Sequence, residues 1–171
     1  MIAALDLPVT LTARDGDVTL RAARPDDLDA LVALLSDDPI SAARGDDARD
    51  EQRPAYARAL ARIAADPANA QLVVTDGERL IGTMQLTVIP GLARAGSDRL
   101  QIETVHVARD RRSSGIGAAM MRWVEEVAAP ALGVSLIQLT SDAARVDAHR
   151  FYERLGFTPS HVGFKLRLPL A

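Results

Sequence analysis

Residues 109–117, Arg109-Asp110-Arg111-Arg112-Ser113-Ser114-Gly115-Ile116-Gly117, put positive charge, small residues and the start of a helix into one short run. Apolar residues Ile116, Ala119, Met120, Trp123, Val124 and Val127 then recur at helical spacing, so an amphipathic helix begins near Gly115. Backbone N–H groups left free at a helix N-terminus form an anion site without any charged side chain. Glycines at 115 and 117 let a ligand approach the backbone, and Arg111 and Arg112 add charge suited to a pyrophosphate. The competing reading is a polar strand-to-helix turn whose glycines serve packing. A dinucleotide fingerprint is not met, since its third glycine position is Met120, and no Gly-Lys-Ser/Thr of a phosphate-binding P-loop follows.

Glu103, in the strand before this run, has the chemistry of a general base, or of a partner for a nearby arginine. Strict alternation puts Glu103 and Val105 on one face, with Thr104 and His106 on the other. A bulge in this strand would break that parity, so either Glu103 or His106 could face an acceptor. Downstream, Ala144, Ala148, Phe151 and Leu155 form one apolar helical face. Tyr152 sits beside it with His149 and Arg145 at i−3 and i−7, so its hydroxyl can emerge at the rim. Packing is the competing role for Tyr152.

These groups need a scaffold, and the chain supplies one. Val9–Ala13 and Val18–Ala22 are short alternating runs around Arg14-Asp15-Gly16-Asp17, either a hairpin or an irregular extension ahead of the first core strand. Residues 1–17 are therefore set apart from a domain spanning 18–171. Pro25 opens a helix with Asp26 and Asp27 in its first turn, Leu28, Leu31, Val32 and Leu35 on its buried face, and Pro39 at its end. A polar stretch follows, then a helix over about 52–65. Strands are expected at Gln71–Thr75 and Arg79–Ile89 across Asp76-Gly77, and a fourth at Leu100–Val107. A fifth lies at Val134–Thr140. A last helix, Ala144–Leu155, stops at Gly156, and the alternating Val162–Leu168 closes the sheet. The loop over 90–99 carries Arg94 and Arg99, a solvated connection that could also close over an anionic acceptor. Strands alternating with helices, plus an antiparallel hairpin, argue an α/β (α+β) fold with helices on both faces of a mixed sheet.

Composition narrows the chemistry. The chain has 171 residues, enough for one domain with its own core. It contains no cysteine, which removes disulfides, thiolate metal sites and a cysteine nucleophile and fits a reducing compartment. Net charge is −3 and the arginine cluster lacks interleaved aromatics, so nucleic acid is not an expected partner. The N-terminus lacks a signal-peptide pattern and no apolar run approaches a membrane span, so a cytoplasmic protein is expected. No His/Asp/Glu spacing suggests a metal site, and no Gly-x-Ser-x-Gly nucleophile motif occurs.

Arg112-Ser-Ser-Gly115-Ile-Gly117 fits the pattern R-x-x-G-x-G between a strand and a helix, and in this it resembles the GNAT acetyltransferase superfamily. The block Ala148-His149-Arg150-Phe151-Tyr152-Glu153-Arg154-Leu155-Gly156-Phe157 resembles that superfamily's C-terminal motif. The resemblance implies the GNAT fold, a mostly antiparallel twisted sheet whose fourth and fifth strands splay apart. It implies acetyl-CoA as co-substrate, no metal, a small-molecule amine as acceptor and a homodimer as partner state. Backbone groups of Val105, His106 and Val107 would pair with the pantetheine arm. The amides of Arg112, Ser113, Ser114, Gly115, Ile116 and Gly117 would hold the pyrophosphate. Glu103 would take the amine's proton, and Tyr152 would protonate the departing thiolate. Arg145 stands where many relatives carry an asparagine, and Ser113-Ser114 replace a common Arg/Gly pair. A non-catalytic acyl-CoA sensor on the same fold is the alternative.

Overall fold

Alternation of apolar and polar residues writes a sheet into the first 139 residues. In the computed structural model, which describes residues 2–38, 48–166 and 168, six strands pair in chain order: β1 (Val9–Ala13), β2 (Gly16–Ala22), β3 (Asn69–Asp76), β4 (Arg79–Ile89), β5 (Arg99–Val107) and β6 (Ile137–Leu139). All neighbours run antiparallel except β5 and β6, which are parallel. A parallel joint needs a crossover. The helical run between these two strands supplies it.

One face of the sheet is apolar: Leu20, Leu72, Val74, Met84, Leu86 and Leu100 are all fully buried. Each such side chain contributes about 1.5–3 kcal/mol on burial, so this face carries the core. Helix α3 (Ile116–Trp123) packs on β1 and β5. It runs on through a π-helical turn, Val124–Ala128, and a last turn, Ala129–Leu132, to Gly133. Helix α1 (Leu28–Ser36) packs on β4 and β5, and α2 (Arg53–Ala65) on β3. The entry to α1 is fixed by Asp27, whose carboxylate accepts from both terminal nitrogens of Arg21 at 2.7 and 2.8 Å and from the Arg24 backbone N–H at 2.7 Å. The expected stop at Pro39, and the polar stretch after it as far as residue 47, lie outside the described residues.

Beyond Leu139 a second compact unit begins at Thr140. Its helix α4 (Val146–Arg154) ends at Gly156, whose φ of +87° is the left-handed conformation glycine accepts at low cost. Two sequence expectations are corrected. The strand expected over Val134–Thr140 is confined to Ile137–Leu139. The strand expected over Val162–Leu168 does not form: residues 157–166 are irregular, with Val162, Phe164 and Leu166 at 80%, 93% and 86% exposure. Alternation supplies a face, but a strand also needs a partner's backbone, which period alone does not specify.

Candidate active site

The turn before α3 is built from unusual backbone. Ser113 has φ +62° and Gly115, the residue capping α3, has φ +90°. A Cβ on Gly115 would stand 2.7 Å from the backbone nitrogen of Arg14 and 2.9 Å from its Cβ. This glycine therefore answers to the β1–β2 hairpin turn packed against it. The same hairpin donates the Asp15 N–H to the Ser114 carbonyl at 3.2 Å, while the buried Ser114 hydroxyl donates to the Arg111 carbonyl at 2.5 Å. The turn is braced on both sides, and its first amides are used internally, Arg111 N–H by the Ala108 carbonyl at 2.8 Å and Arg112 N–H by the Arg109 carbonyl at 3.3 Å. The first hydrogen bond of α3 runs from Ala119 N–H to the Gly115 carbonyl at 2.9 Å, so the N–H groups of Ile116, Gly117 and Ala118 precede the helical ladder.

The arginines beside the turn differ in their commitments. Arg111 pairs with Asp76 at 2.6 Å, Arg109 with Asp37 at 3.6 Å, and Asp110 with Arg79 at 2.8 Å. Arg112 is exposed and donates from Nε only to the Val107 carbonyl, at 3.2 Å. Among the described residues it is the arginine of this cluster without a carboxylate partner. A concave surface of about 560 Å³ lies beside these pairs, between α1 and Ala108–Asp110. Its charges already satisfy one another.

The strand leading into the turn carries the second feature. Gln85 of β4 pairs with Glu103 of β5, and Thr83 pairs with His106, so β4 advances two residues while β5 advances three. The extra residue is a β-bulge at Thr104–Val105, and Thr104 sits at φ +55°. A β-branched residue in the left-handed region costs of order 1–3 kcal/mol, which is tolerated where the surroundings impose it and is common at functional sites. The bulge cancels the alternation expected from sequence. Glu103 and His106 now face the same side of the sheet, opposite Gln85 and Thr83. Sheet pairing of β5 with β6 stops at Ile102 and Leu139, and beyond it Glu103, His106 and Val107 keep register partners in β4, namely Gln85, Thr83 and Gly82.

The face that Glu103 shares is polar across several strands. Asn69, Thr87, Gln101 and Gln138 are register partners in one row, and Gln71, Gln85 and Glu103 in the next. Thr87 and Gln85 bond to Asn69 at 2.5 and 3.3 Å, Gln71 to Thr83 at 2.7 Å, and Gln138 to Gln101 at 2.7 Å. The sequence reading missed this carpet. Its signal is the alternation Thr83-x-Gln85-x-Thr87 in a central strand, where polar residues recur every second position against Met84 and Leu86.

In the second unit, Tyr152 is half-buried, with its ring edge-on to Phe151 and Phe157 at centroid distances of 5.1 and 5.7 Å. Burial raises its phenol pKa above the usual 10, opposed by the positive charge of Arg145. The group is thus held protonated. Arg145 occupies the turn into α4, where its N–H bonds the Asp142 carbonyl at 2.9 Å and its carbonyl accepts the His149 N–H at 3.0 Å. His149 Nε2 lies 2.8 Å from the Asp142 carbonyl, closing the same turn. Among the described residues no cluster of three or more His, Asp or Glu could hold a metal ion.

The mixed sheet, with its bulged β5 running into a braced turn at the start of α3, places strand, turn and helix in the order a nucleotide-bearing donor can use. Comparison with known proteins gives the family: the chain belongs to the acetyltransferase (GNAT) family, whose sequence pattern matches residues 28–157. Acetyl transfer with acetyl-CoA as donor is that family's activity. A solved structure of a transcriptional regulator from Bacillus halodurans C-125 is 39% identical, covers 88% of this chain and 99% of its own, and superimposes with a TM-score of 0.83. A protein from Agrobacterium tumefaciens strain C58, described as a candidate acetyltransferase, is 29% identical over 87% of this chain and 99% of its own, with a TM-score of 0.73. An aminoalkylphosphonate N-acetyltransferase from Salmonella typhimurium is 39% identical over 64 residues, which are 37% of this chain and 41% of that protein.

The residues present fit the donor. The N–H groups of Ile116 and Gly117, which precede the helical ladder, and the guanidinium of Arg112 suit a pyrophosphate, whereas the Arg112 N–H is taken by the Arg109 carbonyl at 3.3 Å. The backbone of Val105, His106 and Val107, beyond the last β5–β6 pair at Ile102, has the donors and acceptors that the amides of a pantetheine arm would pair with.

Proposed function

We propose that the chain is an N-acetyltransferase that moves the acetyl group of acetyl-CoA to the primary amine of a small acceptor, by direct attack in a ternary complex. The observation that carries this reading is the bulge in β5, which turns Glu103 and His106 to one face just past the end of the β5–β6 ladder. Glu103 takes the proton that the neutral acceptor amine sheds as it attacks. The amine nitrogen bonds the thioester carbonyl carbon, and a β5 backbone N–H steadies the oxygen as it gains charge. The C–S bond then breaks, and Tyr152 gives the departing thiolate a proton, so amide and free thiol are the products. No covalent enzyme intermediate is involved.

Residues 18–171 form the transferase domain in this reading, with residues 1–17 adding a hairpin strand. The lack of cysteine supports a cytoplasmic setting, and the family resemblance supports a homodimer. The acceptor remains small: the relative named for aminoalkylphosphonates supports an amine of that size. The regulator among the structural relatives favours a second reading, acyl-CoA binding without turnover. Thiol release separates the two. With a panel of amines, wild type releases CoA thiol, and Glu103→Gln lowers kcat at neutral pH about 10²-fold while acetyl-CoA binding stays as it was. An unaffected Glu103→Gln alongside an inactive His106→Ala would transfer the base role to His106. Tight acetyl-CoA binding with no thiol released from any amine would leave the sensor reading standing.

A further inference from the structure

Among the described residues, the polar face of the sheet has a cation that no acceptor claims. Strand β5 reads Arg99, Gln101, Glu103 at alternate positions, and its ladder with Ile89, Thr87 and Gln85 is regular across all three. These side chains therefore stand on the same face, in a file that the bulge extends to His106. Arg99 and Glu103 are its permanent charges. The neighbouring amides and hydroxyls already bond one another, as Asn69 does with Thr87 and Gln101 with Gln138. Arg99 is different. It is half-buried, yet among the described residues no carboxylate and no hydrogen-bond acceptor takes its guanidinium, Asp98 included. Its Nη1 lies 3.8 Å from where a methyl on Gly91 would sit, at the mouth of the β4–β5 connection. On Arg21 of the same face the equivalent charge is consumed by Asp27.

We propose that Arg99 is a specificity residue that receives an anionic group, carboxylate or phosphonate, borne by the acceptor at the end away from its amine. The inference rests on the acetyl-transfer reading, in which Glu103 meets the amine. Strand rise puts the Cα atoms of Arg99 and Glu103 about 13 Å apart, so the two groups grip opposite ends of one extended, zwitterionic amine. The planar guanidinium offers paired N–H donors that match the oxygens of either anion. Neutral Gln101 lies between them.

The test is calorimetric binding to the acetyl-CoA-free and CoA-loaded protein, run beside thiol release so that the two readings can fail separately. The probes are ω-aminoalkanoates and ω-aminoalkylphosphonates of increasing chain length, propan-1-amine and 1,3-diaminopropane. Anion-bearing amines are expected to bind about 10- to 100-fold more tightly than propan-1-amine, the scale of a charge-assisted hydrogen bond. Arg99→Gln collapses that ratio to near one, Arg99→Glu turns the preference toward the diamine, and Arg94→Gln, on the exposed turn nearby, keeps it. Comparing the two anion series identifies which oxyanion is recognised. Equal binding of anionic and neutral amines by wild type, or a preference that survives Arg99→Gln, would overturn the proposal. Loss of thiol release with the binding preference intact would sink the transfer reading alone.

Discussion

At the scale of single residues, burial and charge sort the candidate groups by the work they can do. Tyr152 is held protonated because desolvation disfavours its phenolate, with Arg145 only partly opposing this. A phenol so placed can give a proton at neutral pH, and it stays an acid to a higher pH than an exposed tyrosine. A thiolate leaves readily without help, since a free thiol has a pKa near 8.5, so the hydroxyl matters moderately and only in the transition state. Tyr152→Phe keeps the ring that meets Phe151 and Phe157. It is expected to lower kcat about 10- to 100-fold with KM for acetyl-CoA little changed. Steady-state kinetics from pH 6 to 10 check this. An unchanged kcat would reduce Tyr152 to packing.

At the scale of elements, the sequence carried local pattern well and non-local geometry poorly. The helical spacing of Leu28, Leu31 and Val32, and of Ile116, Ala119 and Met120, marked faces that are buried. The R-x-x-G-x-G run lies at the start of α3 as its pattern required. A bulge in β5 was raised by the sequence without being decided, because register against β4 is encoded in no single strand, and the contact between Gly115 and Arg14, about a hundred residues earlier in the chain, was not legible. The Arg21–Asp27 pair is of the same kind, tying β2 to the entry of α1. The Arg21 hydrogen bond is the main cause holding the Asp27 carboxyl below its usual value, with the Arg24 N–H adding to it against the cost of desolvation. A depressed carboxylate contributes stability that is present above the unfolded pKa, near 3.9, and is lost as pH falls through the lower folded value. Asp27→Asn is therefore expected to cost about 1–3 kcal/mol at pH 7. The gap between variant and wild type closes on acidification below about pH 4. Urea titrations at pH 7 and pH 3 measure it, and an equal gap at both would show that the carboxylate's charge is not what holds the turn.

At the scale of the whole molecule, the turn before α3 has two duties that thermal unfolding can separate. It is a joint, because Gly115 and Ser114 meet the β1–β2 hairpin, and in the proposed function it also binds the donor's pyrophosphate, with exposed Arg112 beside it. Any ligand that binds only the folded chain stabilises it by mass action, about 2.7 kcal/mol at a hundred times its Kd. For a chain of this length each kcal/mol moves Tm by about 2–4 °C, so saturating CoA is expected to raise Tm by roughly 5–10 °C. Arg112→Gln changes an exposed residue whose only bond is to a carbonyl. It should leave the ligand-free Tm within about 2 °C, on a stability change of about ±0.5 kcal/mol, and shrink the rise with CoA. Gly115→Ala acts on the joint instead. Its Cβ meets Arg14 at under 3 Å in a backbone conformation that side chains resist. The ligand-free protein should then lose about 1–3 kcal/mol. If Gly115→Ala unfolds like wild type and only loses CoA, the turn is a ligand loop first and the hairpin contact is incidental. If Arg112→Gln keeps the full rise, the pyrophosphate is held by backbone amides without its help.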